Sequence, residues 1–322
     1  MKRFAWIGLL FAALLAASGV RAQGFPTEPI RIIVATTPGG LMDPFGRTAG
    51  DWLQKKWGQP VLLEHKPGAG GQLSGEYVAA AKPDGHTLWL TFNGPLIALP
   101  AFGKTRYQVE RDFVPVALLA RTPYAVVVPA SLPVRSLKDL VALSKSTKDG
   151  LNYGTAGVGT GSHIASEMLR SLSGANMVHV PYKGATAAVS DLVAGRIQMM
   201  ITNIPPVLPH IQAGMLRALA VTVPQRVELL PDVPTGAEAG FPDLLTTGFI
   251  AIMAPSATPK EIVQRLNAEI NSAMESAEGR KVAAAAGGQI APGSTDEFAA
   301  FLREDTRVWT KLIKENNIVA GD

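Results

Sequence analysis

The chain has 322 residues, of which 47% are hydrophobic and 17% are charged. A chain of this length can bury a large core and is typical of two domains, and its composition excludes wholesale disorder. The sequence contains no cysteine. Disulfides, thiol-based catalysis and a lipid-modified N-terminal cysteine are therefore excluded.

The N-terminus has the pattern of a secretory signal. Two basic residues precede a short apolar run at 4–17, and the VRA of residues 20–22 places small residues at the two key positions of a cleavage site. We predict a signal peptide at 1–22, cleavage between Ala22 and Gln23, and a periplasmic mature protein. A membrane anchor is the alternative, but the apolar run is shorter than the roughly 20 residues that span a bilayer.

Removal of this signal changes the charge balance. The full chain has 30 basic and 26 acidic residues, and the signal contains Lys2, Arg3 and Arg21 but no acidic residue, which leaves 27 basic and 26 acidic residues. No basic stripe with interleaved aromatic residues is present, so we expect no nucleic-acid partner. The five histidines have no metal-ligand spacing, and neither a metal nor a cofactor is expected.

Along the mature chain, apolar runs rich in β-branched residues alternate with helical stretches, which predicts an α/β protein with largely parallel strands. The first block has predicted strands at 30–35, 61–64 and 87–91 and helices at 44–57 and 73–81. The second block has predicted strands at 151–153, 178–180, 197–201 and 216–221 and helices at 136–146, 162–172 and 186–194. Further strand-like runs lie near 115–128, which holds two of them, and 247–254. N-terminal capping signals predict helix starts at Ser136, Thr258 and Ser294.

Two small-residue loops in the second block each follow a strand and open into a helix. They are GTAGVGTGS at 154–162 and PYKGA at 181–185. Such loops place free backbone N–H groups and the positive end of a helix dipole at one point, which suits an anion. The first loop has Ser162 where a dinucleotide fingerprint needs its third glycine, and the acidic partner is absent, so dinucleotide binding is not expected.

A third loop, TPGGLMDP at 37–44, follows the first strand, where open α/β sheets present a ligand crevice. Asp43 is interpreted as the N-cap of the next helix, with Pro44 at its first position, or as a direct contact to ligand. One carboxylate could serve both roles.

For several other polar residues the sequence allows two interpretations of their role. His163 at a helix start is a ligand contact or a structural hydrogen-bond partner. Lys183 donates a charge-assisted bond to a carboxylate or is a solvated lysine. Asn93 and Asn203, which follow strands, orient a ligand or form turns. No G-x-S-x-G elbow and no distinct Ser/His/acid set is present.

The mature chain resembles the Bug, or TctC-like, substrate-binding proteins of tripartite tricarboxylate transporters. The resemblance extends over nearly all of it and is carried by blocks that include PGGLMD (38–43), HKPGAGG (65–71), LNYGTAGVGTGSHIASE (151–167), VHVPYKGATAAVSDLVAGRIQMM (178–200) and LPDVPTGAEAGFP (230–242).

This resemblance implies a type II periplasmic binding protein fold, in which two α/β lobes are joined by two crossover strands and ligand binds in the cleft between them. Lobe 1 would comprise 23–122 and 250–322, and lobe 2 would comprise 123–249. The strand-like runs near 116–128 and 247–253 would then be the crossovers.

The resemblance also implies the ligand contacts. In lobe 1 they are Gly39, Gly40, Leu41, Met42 and Asp43. In lobe 2 they are Thr155, Ala156, Gly157, Gly159, Thr160, His163, Tyr182, Lys183, Gly184 and Ala185. Asn93 and Asn203 occupy positions where the family varies with its ligand.

The first loop departs from the family pattern, because Leu41 and Met42 replace a glycine and a hydroxyl residue. Phe92 and the IPP of 204–206 add apolar surroundings. We therefore hypothesise a carboxylate with an aromatic or aliphatic body rather than citrate.

The expected function is a monomeric, non-enzymatic receptor that captures a small carboxylate and delivers it to integral membrane transporter subunits. A sensor subunit that presents its ligand to a signalling partner is the first alternative, and a periplasmic hydrolase is the second.

Overall fold

The computed structural model describes residues 24–315 and residue 318. The predicted signal peptide at 1–22, with its cleavage after Ala22, lies outside these residues. None of the helices in the described part combines the length and apolar character needed to cross a membrane.

The first half of lobe 1 is a parallel α/β unit. It consists of β1 (Ile30–Val34), α1 (Met42–Trp57), β2 (Val61–His65), α2 (Gln72–Ala79) and β3 (Thr87–Phe92). Strand β1 lies between β2 and β3 and pairs in parallel with both. After β3, a π-helical turn (Gly94–Ala98) continues into α3 (Leu99–Ala101), and α4 (Val109–Asp112) precedes the next strand.

Lobe 2 has a second sheet, which also contains parallel strands connected by helices. The chain continues through β4 (Phe113–Pro129), α5 (Leu137–Ser146), β5 (Leu151–Thr155), α6 (Gly161–Ser173), β6 (Met177–Pro181), α7 (Ala185–Val193), β7 (Met199–Asn203), α8 (Leu208–Gln212) and β8 (Leu216–Val221). Strand β5 pairs in parallel with β6 and β7, whereas the end of β4 pairs antiparallel with β7 and β8.

The chain returns to lobe 1 through β9 (Thr247–Pro255), followed by α9 (Lys260–Glu275), α10 (Ala277–Ala285), β10 (Gln289–Ile290) and α11 (Thr295–Glu315). Strand β9 pairs antiparallel with β3 and with the first part of β4. Strands β4 and β9 are therefore the two crossovers, which confirms the predicted fold class. The lobe bounds at 122/123 and 249/250 stay a prediction.

The sequence predicted two separate strands near 115–128, but β4 is one strand of 17 residues. Its two halves belong to different sheets: Phe113 to Pro123 pairs with β9, and Tyr124 to Pro129 pairs with β7 and β8. Pro123, which cannot donate to a ladder, lies at the change of partner, where a proline costs least.

Each sheet is packed on both faces. In lobe 1, one cluster surrounds Phe45 and Leu88, and a second contains Trp89 and Phe249. In lobe 2, one cluster surrounds Tyr153 and a second contains Val127. The ends of the strands, and the loops that follow them, are thereby fixed on two rigid supports.

Two of the three predicted helix caps are confirmed. The side chains of Ser136 and Ser294 accept from backbone N–H groups of the following helix, and Asp139 and Glu297 complete the capping boxes. The prediction for Thr258 is wrong, since α9 begins at Lys260. The Thr258 hydroxyl instead donates to the Pro255 carbonyl at 2.7 Å and closes the preceding turn.

Candidate functional site

The loop after β1, residues 36–43, is called the first loop. Gly39 has φ of 77°, which favours glycine. Its N–H donates to Asp43 Oδ2 at 2.8 Å, and Asp43 N–H donates to Gly40 O at 3.2 Å. Asp43 is therefore not the predicted N-cap: α1 begins at Met42, and Leu41 before it already has helical φ and ψ.

The two apolar residues of the first loop point toward their own lobe. Met42 is 3% exposed and belongs to the lobe 1 core around Phe45, and Leu41 is partly buried against the same core. The Met42 side chain is thus unavailable to a ligand. Met42 therefore no longer supports the hypothesis of a ligand with an apolar body. Together with Phe45, Ala49 and Leu53, Met42 forms an apolar stripe at helical spacing, a signal that the sequence contained.

The backbone of the first loop keeps free donors. Among the described residues, the N–H groups of Gly40, Leu41 and Met42 have no hydrogen-bond acceptor. A Cβ placed on Gly39 would meet no atom within 4 Å, so the loop borders open space. This is the arrangement that an anion at a helix N-terminus requires.

The loop between β5 and α6, residues 156–160, is called the glycine loop. Gly157 and Gly159 have φ of 132° and 75°. Thr155 Oγ1, at the end of β5, accepts a hydrogen bond from the Gly157 N–H at 3.3 Å. Thr160 Oγ1 caps α6 by accepting a hydrogen bond from the His163 N–H at 3.4 Å. The Thr160 hydroxyl donates back to Gly157 O at 2.7 Å, which fixes the loop's shape.

His163 supports the glycine loop from behind. Its Nδ1 accepts the Gly159 N–H at 3.3 Å, and its ring stacks on His179 with 4.3 Å between ring centroids. His179 Nε2 in turn lies 2.7 Å from Thr155 Oγ1. Burial, and next the neighbouring His179, lowers the pKa of His163 to about 4, and burial also lowers the pKa of His179. These contacts favour the structural reading of His163 over direct ligand contact.

The loop between β6 and α7, residues 182–184, is called the lysine loop and lies beside the glycine loop. The N–H groups of Tyr182 and Gly184 donate to Thr155 O and Ala156 O, both at 3.1 Å. The Tyr182 hydroxyl donates to Asp191 at 2.7 Å, and Lys183 is exposed. Ala185 is the first residue of α7, and a Cβ on Gly184 would meet no atom within 4 Å.

Both of these lobe 2 loops contain free backbone donors. Within the described chain, the N–H groups of Ala156, Val158 and Lys183 have no acceptor. The N–H groups of Gly157 and Gly159, both predicted contacts, are already used inside lobe 2. The free donors therefore include two of the predicted contacts, Ala156 and Lys183, together with Val158 between the two glycines.

Asn93 and Asn203 lie at the crossover strands. Asn93 is 1% exposed and its amide donates to the Tyr124 hydroxyl at 3.4 Å, while the Asn203 amide donates to Thr122 Oγ1 at 3.0 Å. A Cβ on Gly161 would collide with the Tyr124 hydroxyl. These polar contacts join β3, β4, β7 and the start of α6, so both asparagines fix the connection between the lobes.

The glycine loop also touches lobe 1 at residues that the sequence did not single out. A Cβ on Gly159 would lie 2.7 Å from Leu99 Cδ2, and one on Gly94 would lie 3.1 Å from Gly159 O. The Phe102 and His163 rings are 6.4 Å apart. No local motif marks Leu99 or Phe102, because their position depends on the irregular π-helical turn that precedes α3.

A groove of about 740 Å³ also borders the first loop. Its lining includes Gly39, Asp43, Arg47 and Lys55 of the first loop and α1, and Glu278 of α10. All its lining residues belong to the lobe 1 elements, so it is distinct from the predicted cleft between the lobes.

Ser162, next to His163, does not form a nucleophile–base pair. Its hydroxyl donates to the carbonyl of Ile201. The predicted hydrolase alternative thus finds no support at the residue where a serine and a histidine are adjacent.

Two α/β lobes joined by two crossing strands define a periplasmic binding protein of the type II class. The chain belongs to the tripartite tricarboxylate transporter family receptors, whose family model matches residues 45–318. This confirms the resemblance that the sequence blocks indicated.

Similar proteins cover almost the whole chain. BugT of Bordetella pertussis is 34% identical over 98% of this chain and 97% of its own length, and a protein from the tcbD–tcbE intergenic region of Pseudomonas sp. strain P51 is 36% identical over 96% and 94%. The structure of R. palustris Rpa4515 with adipate has a TM-score of 0.85 at 31% identity, covering 92% of this chain and 99% of that one. MatC from Rhodopseudomonas palustris with bound malate has a TM-score of 0.82 at 30% identity, covering 90% and 100%.

Proposed function

We propose that this protein is a periplasmic receptor that binds a small dicarboxylate between its lobes and delivers it to the membrane subunits of a tripartite transporter. The observation that carries the proposal is the set of unpartnered N–H groups in the first loop and in the two lobe 2 loops. The glycines that border open space, Gly39 and Gly184, lie in these same loops.

Backbone donors suit this task better than side-chain charges. A helix N-terminus supplies N–H groups and partial positive charge without the desolvation cost of a buried lysine. Lys183 is exposed and His163 is held neutral, so neither has to supply a buried charge. Asp43, Tyr182 and His163 shape the loops, and the N–H groups of Gly40, Leu41, Met42, Ala156, Val158 and Lys183 contact the carboxylate.

Ligand bodies of the adipate or malate type are the first candidates. Rpa4515 is described with adipate and MatC with malate, and both resemble this chain over nine-tenths of its length. With Met42 in the lobe 1 core, the first loop gives no strong preference for an aromatic body.

A thermal-shift screen of the mature protein, residues 23–322, tests this proposal. The panel comprises adipate, malate, citrate and benzoate, with adipamide as a neutral control. A ligand that binds only the folded state raises Tm, so we expect a dicarboxylate to do so and adipamide not to. Equal shifts for adipate and adipamide, or none with any acid, would refute carboxylate capture. Turnover of a carboxylate ester would favour the hydrolase instead.

A further inference from the structure

A partly buried histidine faces a buried carboxylate of the first loop. His65, at the end of β2, has Nδ1 at 2.9 Å from the carbonyl oxygen of Thr36. A carbonyl only accepts hydrogen bonds, so Nδ1 carries a proton. The tautomer of His65 is thereby fixed by its position between β1 and β2.

The other nitrogen of this ring faces a carboxylate. His65 Nε2 lies 3.6 Å from Asp43 Oδ1, and the two side chains are 15% and 8% exposed. A neutral imidazole has its one N–H on Nδ1, so Nε2 would then direct a lone pair at Asp43 Oδ1. With a second proton on the ring, the same contact becomes an ion pair between an imidazolium and a carboxylate.

Asp43 has one oxygen free for this ion pair. Its Oδ2 accepts the Gly39 N–H at 2.8 Å, while its buried Oδ1 has no hydrogen-bond partner among the described residues. An unsatisfied carboxylate oxygen at this depth is costly. A proton on His65 Nε2 would compensate the charge of this oxygen across 3.6 Å and link β2 to the first loop.

The other charged groups near His65 have partners. Glu64 binds Arg31 of β1 at 2.6 and 2.8 Å, and Lys66 lies over the Tyr77 ring of α2. In the part of the chain that the structure describes, Asp43 is the carboxylate within 4.0 Å of an imidazole nitrogen of His65.

We propose that His65 is a positioning residue of the carboxylate site and acts as an imidazolium, which neutralises Asp43 and holds the first loop ready for an anion. The inference rests on the function proposed above. Without the second proton, Asp43 presents an uncompensated negative charge beside an anion site. Carboxylate binding is therefore coupled to protonation of His65, and affinity rises as pH falls.

The binding experiment measures adipate affinity by calorimetry across the range in which imidazoles titrate, about pH 5 to 8. We expect affinity to fall on the order of tenfold as pH rises. Protonation of adipate itself would weaken binding at low pH. This effect is opposite in direction to the one expected from His65, so the two can be distinguished. Burial lowers the pKa of His163 to about 4, below this range, and burial also lowers the pKa of His179.

Two variants separate the nitrogens of His65. His65→Asn keeps a donor near Nδ1 for Thr36 and removes the titrating group, so it should bind weakly with no pH slope. His65→Gln places a neutral donor near Nε2 for Asp43, so it should regain part of the affinity, again without a slope. A slope that survives in both variants would overturn the inference.

A ligand-free measurement separates this inference from the proposed function. NMR of the protein labelled with ¹⁵N-histidine follows protonation of His65 Nε2, and we expect its midpoint to match that of the adipate profile. If no acid binds the wild-type protein, the proposed function fails. In that case protonation of Nε2 within this range still supports the ion pair between His65 and Asp43, and an unprotonated Nε2 throughout the range overturns it.

Discussion

At the scale of single residues, the glycines near the loops fall into two groups. Gly39 and Gly184 border open space, whereas Gly159 and Gly161 lie against Leu99 and Tyr124. The first group leaves room for a ligand. In the second group, Gly159 lies against Leu99 of lobe 1, and Gly161 also has the Asn93 amide nitrogen of lobe 1 at 3.1 Å from its Cβ position, so both allow the lobes to approach each other. The sequence marked all four as loop or helix-start glycines but could not separate the groups, because the neighbours come from distant parts of the chain.

Replacement of Gly159 tests the second group. Gly159→Ala introduces a left-handed non-glycine residue and a Cβ 2.7 Å from Leu99 Cδ2. Gly174→Ala is the matched control, since Gly174 has φ of 62° at the end of α6 and only the Lys145 side chain within 4 Å. Each variant should lose about 1 kcal/mol of stability. Only Gly159→Ala should also lose adipate affinity in calorimetry; wild-type affinity in that variant would contradict the role given to the loop.

The stacked histidines predict a pH dependence of folding stability. The folded-state pKa of His163 is about 4, lowered by burial, and its unfolded value is about 6.5. Below about pH 6.5 the unfolded chain takes up a proton that the folded chain does not, so stability falls between about pH 6.5 and about pH 4, by about 3 kcal/mol at most from this group. Urea unfolding at several pH values measures the change.

His163→Asn is the informative variant for this dependence. The asparagine oxygen can still accept the Gly159 N–H, but it does not titrate. Its stability should therefore change less between about pH 6.5 and about pH 4 than that of the wild-type protein. An unchanged slope would show that another group causes the loss.

At the scale of elements, periodicity and capping chemistry predicted most helices and strands. The capping box at Ser136 follows from local sequence and is present, with Asp139 N–H donating to Ser136 Oγ at 3.1 Å. The missed features depend on tertiary contacts. Thr258 closes a turn instead of capping α9, and the π-helical turn after Asn93 has no local signature.

The contribution of the Ser136 cap can be measured within one helix. Ser136→Ala removes the acceptor for Asp139 N–H and should lower the free energy of unfolding by about 1 kcal/mol. Ser146→Ala, at the other end of α5, removes an exposed hydroxyl that donates to Leu143 O and should change it by less than about 0.5 kcal/mol. Equal losses in urea unfolding would show that the cap adds nothing specific.

At the scale of the whole molecule, the two crossover strands explain how separate loops can serve one ligand. Strand β4 changes partner after Pro123, and Tyr124, Asn93 and Gly161 pack at that point. A small change of backbone angles at this connection would move one lobe relative to the other, as in hinge closure. The β-branched runs predicted the strands themselves; their continuity through Pro123 required knowledge of both sheets.

The loop contacts were the least predictable part of the site. Asp43 was expected to cap α1, but it binds Gly39 in the preceding loop and faces His65 from β2. These partners are adjacent only because β1 and β2 pair in parallel and end at the same edge. The position of Met42 could have been derived, since it continues the apolar stripe of α1.

The central claim is that one carboxylate ligand contacts loops of both lobes. The most direct test is an adipate titration of ¹⁵N-labelled mature protein, with the backbone amide signals of every loop followed together. If one ligand contacts both lobes, the signals of Gly40, Leu41 and Met42 in the first loop and of Ala156, Val158 and Lys183 in lobe 2 should shift saturably, with one common dissociation constant. Shifts confined to one lobe, or to the groove beside Arg47 and Lys55, would contradict it.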